Sequence, residues 1–303
     1  MARALLTRRC VAAGLPLLPI ASPLLAAADS ADDAGVAFRA LAKAMWVWKF
    51  APSQSREIRS FAAAHGISTL FVSIPQADRA RLLDGDVRTA DAIRLLSDSG
   101  LEVLALAGDP SWIERPRDIA RPLAALIEIR ERLQLFHGLH LDVEPQAHPD
   151  WQKGNDAQTA LVGKLVEFLA TVRSRVRGLA IDVALSPVLS RFRLPGGENA
   201  LAGISRHVSS VAIMAYRDTA AATVEWAAPA LEIVNAAGVG WRIGVLVHES
   251  REPRTSFYGA PVKPFRAEML KLDSLLRKRN GERLFKGLAF EDSAGLLRIL
   301  ATE

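Results

Sequence analysis

His140, Asp142 and Glu144 stand at alternate positions in the run His137-Gly138-Leu139-His140-Leu141-Asp142-Val143-Glu144. In extended chain, successive side chains point to opposite faces, so these three polar groups share one face and Leu139, Leu141 and Val143 the other. A buried charge is costly unless it is paired or hydrogen-bonded. An imidazole and two carboxylates on one face therefore imply either chemistry or a structural pair between His140 and Asp142. The chemistry they suit is proton transfer. Asp142 beside Glu144 disfavours ionisation of the second carboxyl and raises its pKa, as a general acid working near neutral pH requires. Glu144 is the candidate acid, Asp142 its partner, and His140 a supporting group beneath them.

Elements that could hold such a face recur along the chain. Eight short apolar runs, at 44–48, 69–74, 103–107, 139–144, 179–185, 210–216, 242–247 and 287–290, alternate with stretches of helical period. The clearest helix is expected over 157–176, where Leu161, Val162, Leu165, Phe168, Leu169, Val172 and Val176 recur at helical spacing. Gly66, Gly100, Gly138, Gly178 and Gly240 precede strands as helix stops. Runs that are apolar throughout suit parallel strands covered on both faces. Eight strand–helix units in one domain over 41–303 match an α/β fold of the (β/α)8 barrel type, typically ~250 residues. A doubly wound open sheet is the alternative, but no Gly-rich phosphate turn follows the first strand.

In such a barrel, chemistry gathers where strands end and loops begin. The expected strand ends carry Trp48, then Gln76, then Asp109 with Trp112, then Asp142 and Glu144 with Trp151 in the following loop. The later ends carry Ser186, then Tyr216, Arg217 and Asp218, then His248 and Glu249, then Glu291 and Asp292. Aromatic faces, carboxylates and amides on one rim suit a carbohydrate, and two carboxyl groups can break a glycosidic bond. Trp48, Gln76, Asp109, Trp112, Trp151, Arg217, Asp218 and Asp292 are read as substrate contacts. Trp46 shares a face with Trp48 and is expected in the core. Trp112 and Trp151 are expected to be exposed, Trp226 and Trp241 to pack on the helices, and Tyr258 to sit on a loop able to close over the cleft.

These residues resemble a known pattern. The run 137–144 resembles the DGxDxDxE motif on strand four of family-18 chitinases and their relatives, with the closing D-x-E kept and His137 and His140 at the first two aspartate positions. Met214-Ala215-Tyr216 followed by Asp218 resembles that family's M-x-Y-D on strand six, with Arg217 inserted. The resemblance covers the barrel plan and two short motifs. It implies Glu144 as general acid, Asp142 orienting a substrate 2-acetamido group that acts as internal nucleophile, and Tyr216 hydrogen-bonding that group. A second resemblance is to the large clan of retaining (β/α)8 glycosidases, with the acid glutamate ending strand four and a nucleophilic glutamate ending strand seven. Glu144-Pro145 and Glu249 fall in those two places. Glu249 reads equally well as a rim residue paired with Arg251 or Arg242.

Composition narrows the function classes. The chain has 303 residues, half hydrophobic and 23% charged, which is ordinary globular composition. Of the net charge of +5, Arg3, Arg8 and Arg9 lie in the N-terminal segment, and no Lys/Arg block elsewhere could track a phosphate backbone. Nucleic acid is excluded as a partner on that ground. Thr7-Arg8-Arg9 followed by an apolar run to Leu25-Ala26-Ala27-Ala28 reads as an export signal over 1–28, and the paired arginines fit the twin-arginine route. Residues 29–40 read as a short linker. Pro16, Pro19 and Pro23 make the signal a poor spanning helix, and no later run reaches the ~20 apolar residues of a membrane span. The periplasm or the exterior is the expected location. The single cysteine, Cys10, lies in the signal, so the exported chain has no thiol chemistry.

No G-x-S-x-G elbow supports a serine hydrolase. His137, His140, Asp142, Glu144 and His148 invite a metal, but His137 precedes the strand and His148 follows in a loop, so three ligands do not converge. No metal or other cofactor is expected. The favoured reading is an exported glycoside hydrolase acting on a carbohydrate polymer. The competing readings are a non-catalytic barrel that binds glycan or a partner protein, and a metal-dependent hydrolase or deacetylase.

Overall fold

The apolar runs form parallel strands: β1 (Lys43–Val47), β2 (Ile67–Ser73), β3 (Glu102–Ala107), β4 (Gly138–Leu141), β5 (Ala180–Leu185), β6 (Ser210–Ile213), β7 (Gly240–Leu246) and β8 (Phe285–Glu291). Each pairs with the next, and β8 pairs with β1 to close a barrel. The structure is a computed structural model and describes residues 33–301 except 119, 177, 281 and 282. The export segment read over 1–28 lies outside the described residues. The helices are α1 (33–40), α2 (Ser55–His65), α3 (Gln76–Leu83), α4 (Val87–Ser97) and α5 (Ala120–Leu133). They continue with α6 (Asn155–Arg175), α7 (Ala200–Ser205), α8 (Ala220–Ala236), α9 (Val262–Asn280) and α10 (Ser293–Leu300).

The strands and the long helix agree with the reading from periodicity. In α6 the buried stripe is Leu161, Val162, Leu165, Phe168, Leu169 and Val172, and the helix ends when Val176 leaves helical backbone angles. The fourth run stops as regular strand at Leu141, yet the Asp142 N–H still donates to Ala107 O at 3.0 Å, so the alternation carries on toward Glu144.

Side-chain alternation sorts the strands into two layers. Met45, Leu70, Val72, Leu139, Leu141 and Val183 lie in the core between sheet and helices. Ala44, Trp46, Phe71, Leu104, Leu106, Ala184, Ala212 and Ala289 fill the barrel itself. Four alanines among these eight leave room for the two large rings and for a layer of polar groups below them.

That polar layer holds His140. Trp46 Nε1–H donates to His140 Nε2 at 3.0 Å, and His140 Nδ1 lies 2.6 Å from Asp182 Oδ1. An indole N–H can only donate, so Nε2 is the acceptor and Nδ1–H donates to Asp182. Burial lowers the His140 pKa against the pull of Asp182, in keeping with that neutral form. Burial pushes Asp182 upward, but its hydrogen bonds and the Arg242 charge outweigh this and hold it below the usual range. Arg242 donates to Asp182, Thr69 and Glu102, each at 3.2 Å, and Ser210 donates to Asp182. The histidine expected to support Asp142 is thus held by Asp182 on the neighbouring strand. Asp182→Ala would leave Arg242 and His140 short of a buried partner, and about 3–5 kcal/mol of stability should be lost. Thermal or denaturant unfolding checks this, and an unchanged curve would show the network to be dispensable.

Of the stretch 29–40, read as a linker, the described residues 33–40 are helical and pack on the domain. Phe38 is fully buried, with ring centroids 6.0 Å from Phe265 on α9 and 6.4 Å from Phe290 on β8. Lys43 Nζ donates to the carbonyls of Phe38 at 2.5 Å, Leu41 at 2.7 Å and Arg39 at 3.2 Å, satisfying the end of α1. Burial lowers that ammonium to about 7, with Asp273 pulling the other way. Periodicity could not show α1, because its burial depends on rings supplied by α9 and β8.

Candidate active site

Two backbones meet closely beneath the site. A Cβ at Gly108, just after β3, would stand 1.7 Å from Asp142 O, so only glycine lets β3 end against the strand that carries the two carboxyls. Gly108→Ala must push Asp142 and Glu144 aside. A shift of ~1 Å in such a group costs about 10²-fold in rate. The expected result is a fall of that order in kcat/KM, measured beside an unfolding curve that shows the barrel intact.

Alternation then delivers Asp142 and Glu144 to one place, as expected, with Val143 buried on the opposite side. Asp142 Oδ1 is buried with no hydrogen-bond partner among the described residues. Burial first, then the charges of Glu144 and Glu291, push the Asp142 pKa well above the carboxylate range. Glu144 is raised by burial and by the Glu291 charge, while a hydrogen bond donated by Gln146 to its Oε2 pulls it down.

Glu291, the last residue of β8, is a carboxylate beside Tyr216 and acting on Glu144, at the strand end where the sequence pointed to Asp292. Its signal was available: Ala289 points into the barrel and Phe290 away from it, so Glu291 points in again. Tyr216 O–H donates to Glu291 Oε2, and His248 Nε2 lies 3.8 Å from Glu291 Oε1. The Tyr216 pKa is raised well above its usual value by burial, then by the Glu291 charge and hydrogen bond. The phenol has committed its proton to Glu291, so it offers only an acceptor to anything else. Asp292 instead caps α10, accepting from Gly295 N at 2.9 Å.

Glu144, Tyr216, Arg217, Trp226, His248 and Glu249 line one cavity of about 560 Å³ at the C-terminal mouth of the barrel, together with Gln146, Ser186 and Met214. Glu249 is exposed there. The carboxylate whose charge acts on Glu144 is Glu291. Arg242, considered as a partner for Glu249, is engaged inside the barrel. Trp226 packs against the sheet–helix core as expected and also lines the cavity, with Arg217 Cζ 4.8 Å from its ring centroid. Trp241 packs as expected, fully buried and stacked on Phe285 at 4.6 Å.

Gln76, Asp109 and Trp112 gather elsewhere. They line a second cavity of about 470 Å³ with Arg79, Ser111 and Glu114. Asp109 Oδ1 also accepts from Ser111 N at 2.8 Å and Ser111 Oγ at 2.6 Å, fixing its turn. Trp112 and Trp151, expected to be exposed, are half-buried, Trp112 beside Phe168 at 6.2 Å and Trp151 beside Phe192 at 5.4 Å. Trp48 packs on the barrel filling and has a buried Nε1–H with no partner among the described residues. Asp218 is half-buried outside the lining of either cavity, and exposed Tyr258 has Arg298 over its ring at 5.2 Å. His148 Nδ1 accepts from Asp150 N at 3.1 Å, and its Nε2 lies 3.4 Å from Glu114. Among the described residues, no three His, Cys, Asp or Glu side chains are grouped to hold a metal ion, and no helix is long and apolar enough to cross a membrane.

No protein-family model and no curated protein matches the chain. Solved structures do. A GH18 chitinase from Pseudoalteromonas aurantia is 12% identical, with a TM-score of 0.56 over 86% of this chain and 99% of that one. The spore cortex-lytic enzyme SleL of Bacillus cereus is 12% identical, with a TM-score of 0.51 over 86% of this chain and 74% of that one. A putative deoxyribose-phosphate aldolase from Toxoplasma gondii reaches 0.55 at 13% identity, over 90% of this chain and 95% of that one. An aldolase among these neighbours marks the likeness as one of fold, which many chemistries share. The chain is a (β/α)8 barrel resembling those of family-18 chitinases and related glycoside hydrolases.

Proposed function

We propose that this protein is a glycoside hydrolase in which Glu144 is the general acid. The observation that carries the reading is a half-buried Glu144 whose pKa is raised by burial and by Glu291, opening on a cavity at the barrel mouth. In the first step, Glu144 gives its proton to the glycosidic oxygen as the C1–O bond breaks. The carbonyl oxygen of a 2-acetamido group closes on C1, and Asp142, whose Oδ1 is buried beneath Glu144 without a partner among the described residues, accepts that group's N–H once its carboxyl turns toward the cavity. Water then opens the intermediate, returning a proton to Glu144. Tyr216 steadies Glu291 rather than the acetamido oxygen, since its proton is already donated. The apolar N-terminal segment with its paired arginines and alanine-rich end supports action after export, in the periplasm or beyond.

The test incubates the protein and its Glu144→Gln variant with acetamido-bearing, neutral and uronic polysaccharides and reads soluble fragments by mass spectrometry. Fragments from the wild type alone, and from acetamido-bearing polymers, are expected. Release from polymers without the acetamido group would remove internal attack from the mechanism. If neither form releases fragments while both bind a glycan, the protein is a glycan-binding barrel.

A further inference from the structure

We infer that the sugar bound beside Glu144 carries a carboxylate, received by Arg217; this rests on the glycan-binding reading of the same cavity. Arg173 on α6 spends all three nitrogens on the protein, donating from Nε to His207 O, from Nη1 to Leu179 O and from Nη2 to Ser209 Oγ, at 2.9–3.1 Å. Arg217 differs. It lines the cavity, is half-buried, and among the described residues donates only from Nη1, to Tyr216 O at 2.7 Å. Trp226 covers its guanidinium at 4.8 Å, and Arg191 lies 5.6 Å from the same ring. Both anchors are neutral, so they orient the cation without neutralising it. Among the described residues, no carboxylate lies within 4.0 Å of Arg217.

The orientation leaves Nε–H and Nη2–H, the parallel edge of the fork, without a partner among the described residues. That edge matches the two oxygens of a planar carboxylate. Arg251 also lines the cavity, but Arg217 is the guanidinium whose orientation is fixed, by Tyr216 O and the Trp226 ring. Glu249 and Glu252 share the cavity rim, and neither pairs with Arg217, so a ligand carboxylate is directed to the Arg217–Trp226 side. The carboxylate could belong to a uronic acid or to an acid-bearing ether on an amino sugar. Both present the same group to Arg217.

The experiment measures binding by calorimetry in a Glu144→Gln background, with and without Arg217→Gln. The probes are a uronic acid oligosaccharide, an amino-sugar oligosaccharide bearing lactyl ethers, and the carboxyl-reduced form of each. At least one acidic probe should bind about 10-fold or more tightly than its reduced form, because a charge-assisted bidentate pair is worth at least that much. Arg217→Gln should bring the ratio to one, with the acidic probe losing about 10-fold more than the reduced one. Which acidic probe shows the ratio tells uronate from lactyl ether. Equal binding of acidic and reduced probes, a ratio that survives Arg217→Gln, an equal loss for both, or no binding by any probe overturns the inference. Cleavage of neutral polymers alongside equal binding would sink this inference and spare the hydrolase. A carboxylate preference without any turnover would do the reverse.

Discussion

Glu144→Gln is expected to cut turnover by about 10²–10⁴-fold, the usual worth of a positioned general acid, while oligosaccharide binding survives. Glutamine keeps the shape and can still accept from Gln146, but has no proton to give at the leaving oxygen. Stability supplies an independent check. A carboxyl whose folded pKa stands above its unfolded one costs stability where the unfolded form is ionised, and the cost vanishes once pH falls below the unfolded value. Glu144 is such a group, raised by burial and by Glu291. The variant should therefore melt no lower than wild type at neutral pH, with any gain disappearing as pH falls through the ordinary glutamate range. A variant that keeps full turnover would remove Glu144 from the chemistry.

Glu291→Gln should move the alkaline limb of the pH–rate profile toward acid. The general acid works only while protonated, so activity falls as pH rises through the Glu144 pKa. Burial raises that pKa, and the negative charge of Glu291 raises it further. Removing the charge lowers it, and the limb follows to lower pH. The amide can still accept from Tyr216, so the hydrogen bond persists and the change isolates charge. On the alkaline side the variant should fall below wild type, while the two enzymes converge at acid pH. A limb that stays in place, or a uniform loss at every pH, would assign Glu291 a purely structural part.

The pair that carries this argument shows what could be read directly. Asp142 and Glu144 lie two apart on one strand, and strand periodicity brings them together whatever the rest of the chain does. The eight apolar runs likewise announced the barrel, because a parallel sheet buried on both faces demands continuous apolar strands. Glu291 and Asp182 sit far away in sequence. Asp182 reaches His140 through the register that sets the two residues opposite each other. Glu291 reaches Tyr216 across the one intervening strand, β7, and acts on Glu144 beyond β4 because the barrel closes. Choosing Asp292 over Glu291 ignored the alternation already visible at Ala289 and Phe290. Trp226 could not be placed at the mouth, since a tryptophan on an amphipathic helix reaches it or not according to where its helix starts.

By itself, then, the sequence determined the strands, their parallel closure in number, the long helix and the same-face placement of His140, Asp142 and Glu144, because each follows from local period and polarity. Only the tertiary structure decided which groups answer them: Asp182 and Trp46 for His140, Glu291 for Tyr216 and Glu144, Trp226 for Arg217, and the rings of α9 and β8 for Phe38. Apart from Trp226, placed nine positions from Arg217 by the start of α8, those partners are set by strand register and barrel closure. Both bring together residues dozens of positions apart in sequence, and no local periodicity encodes such distances.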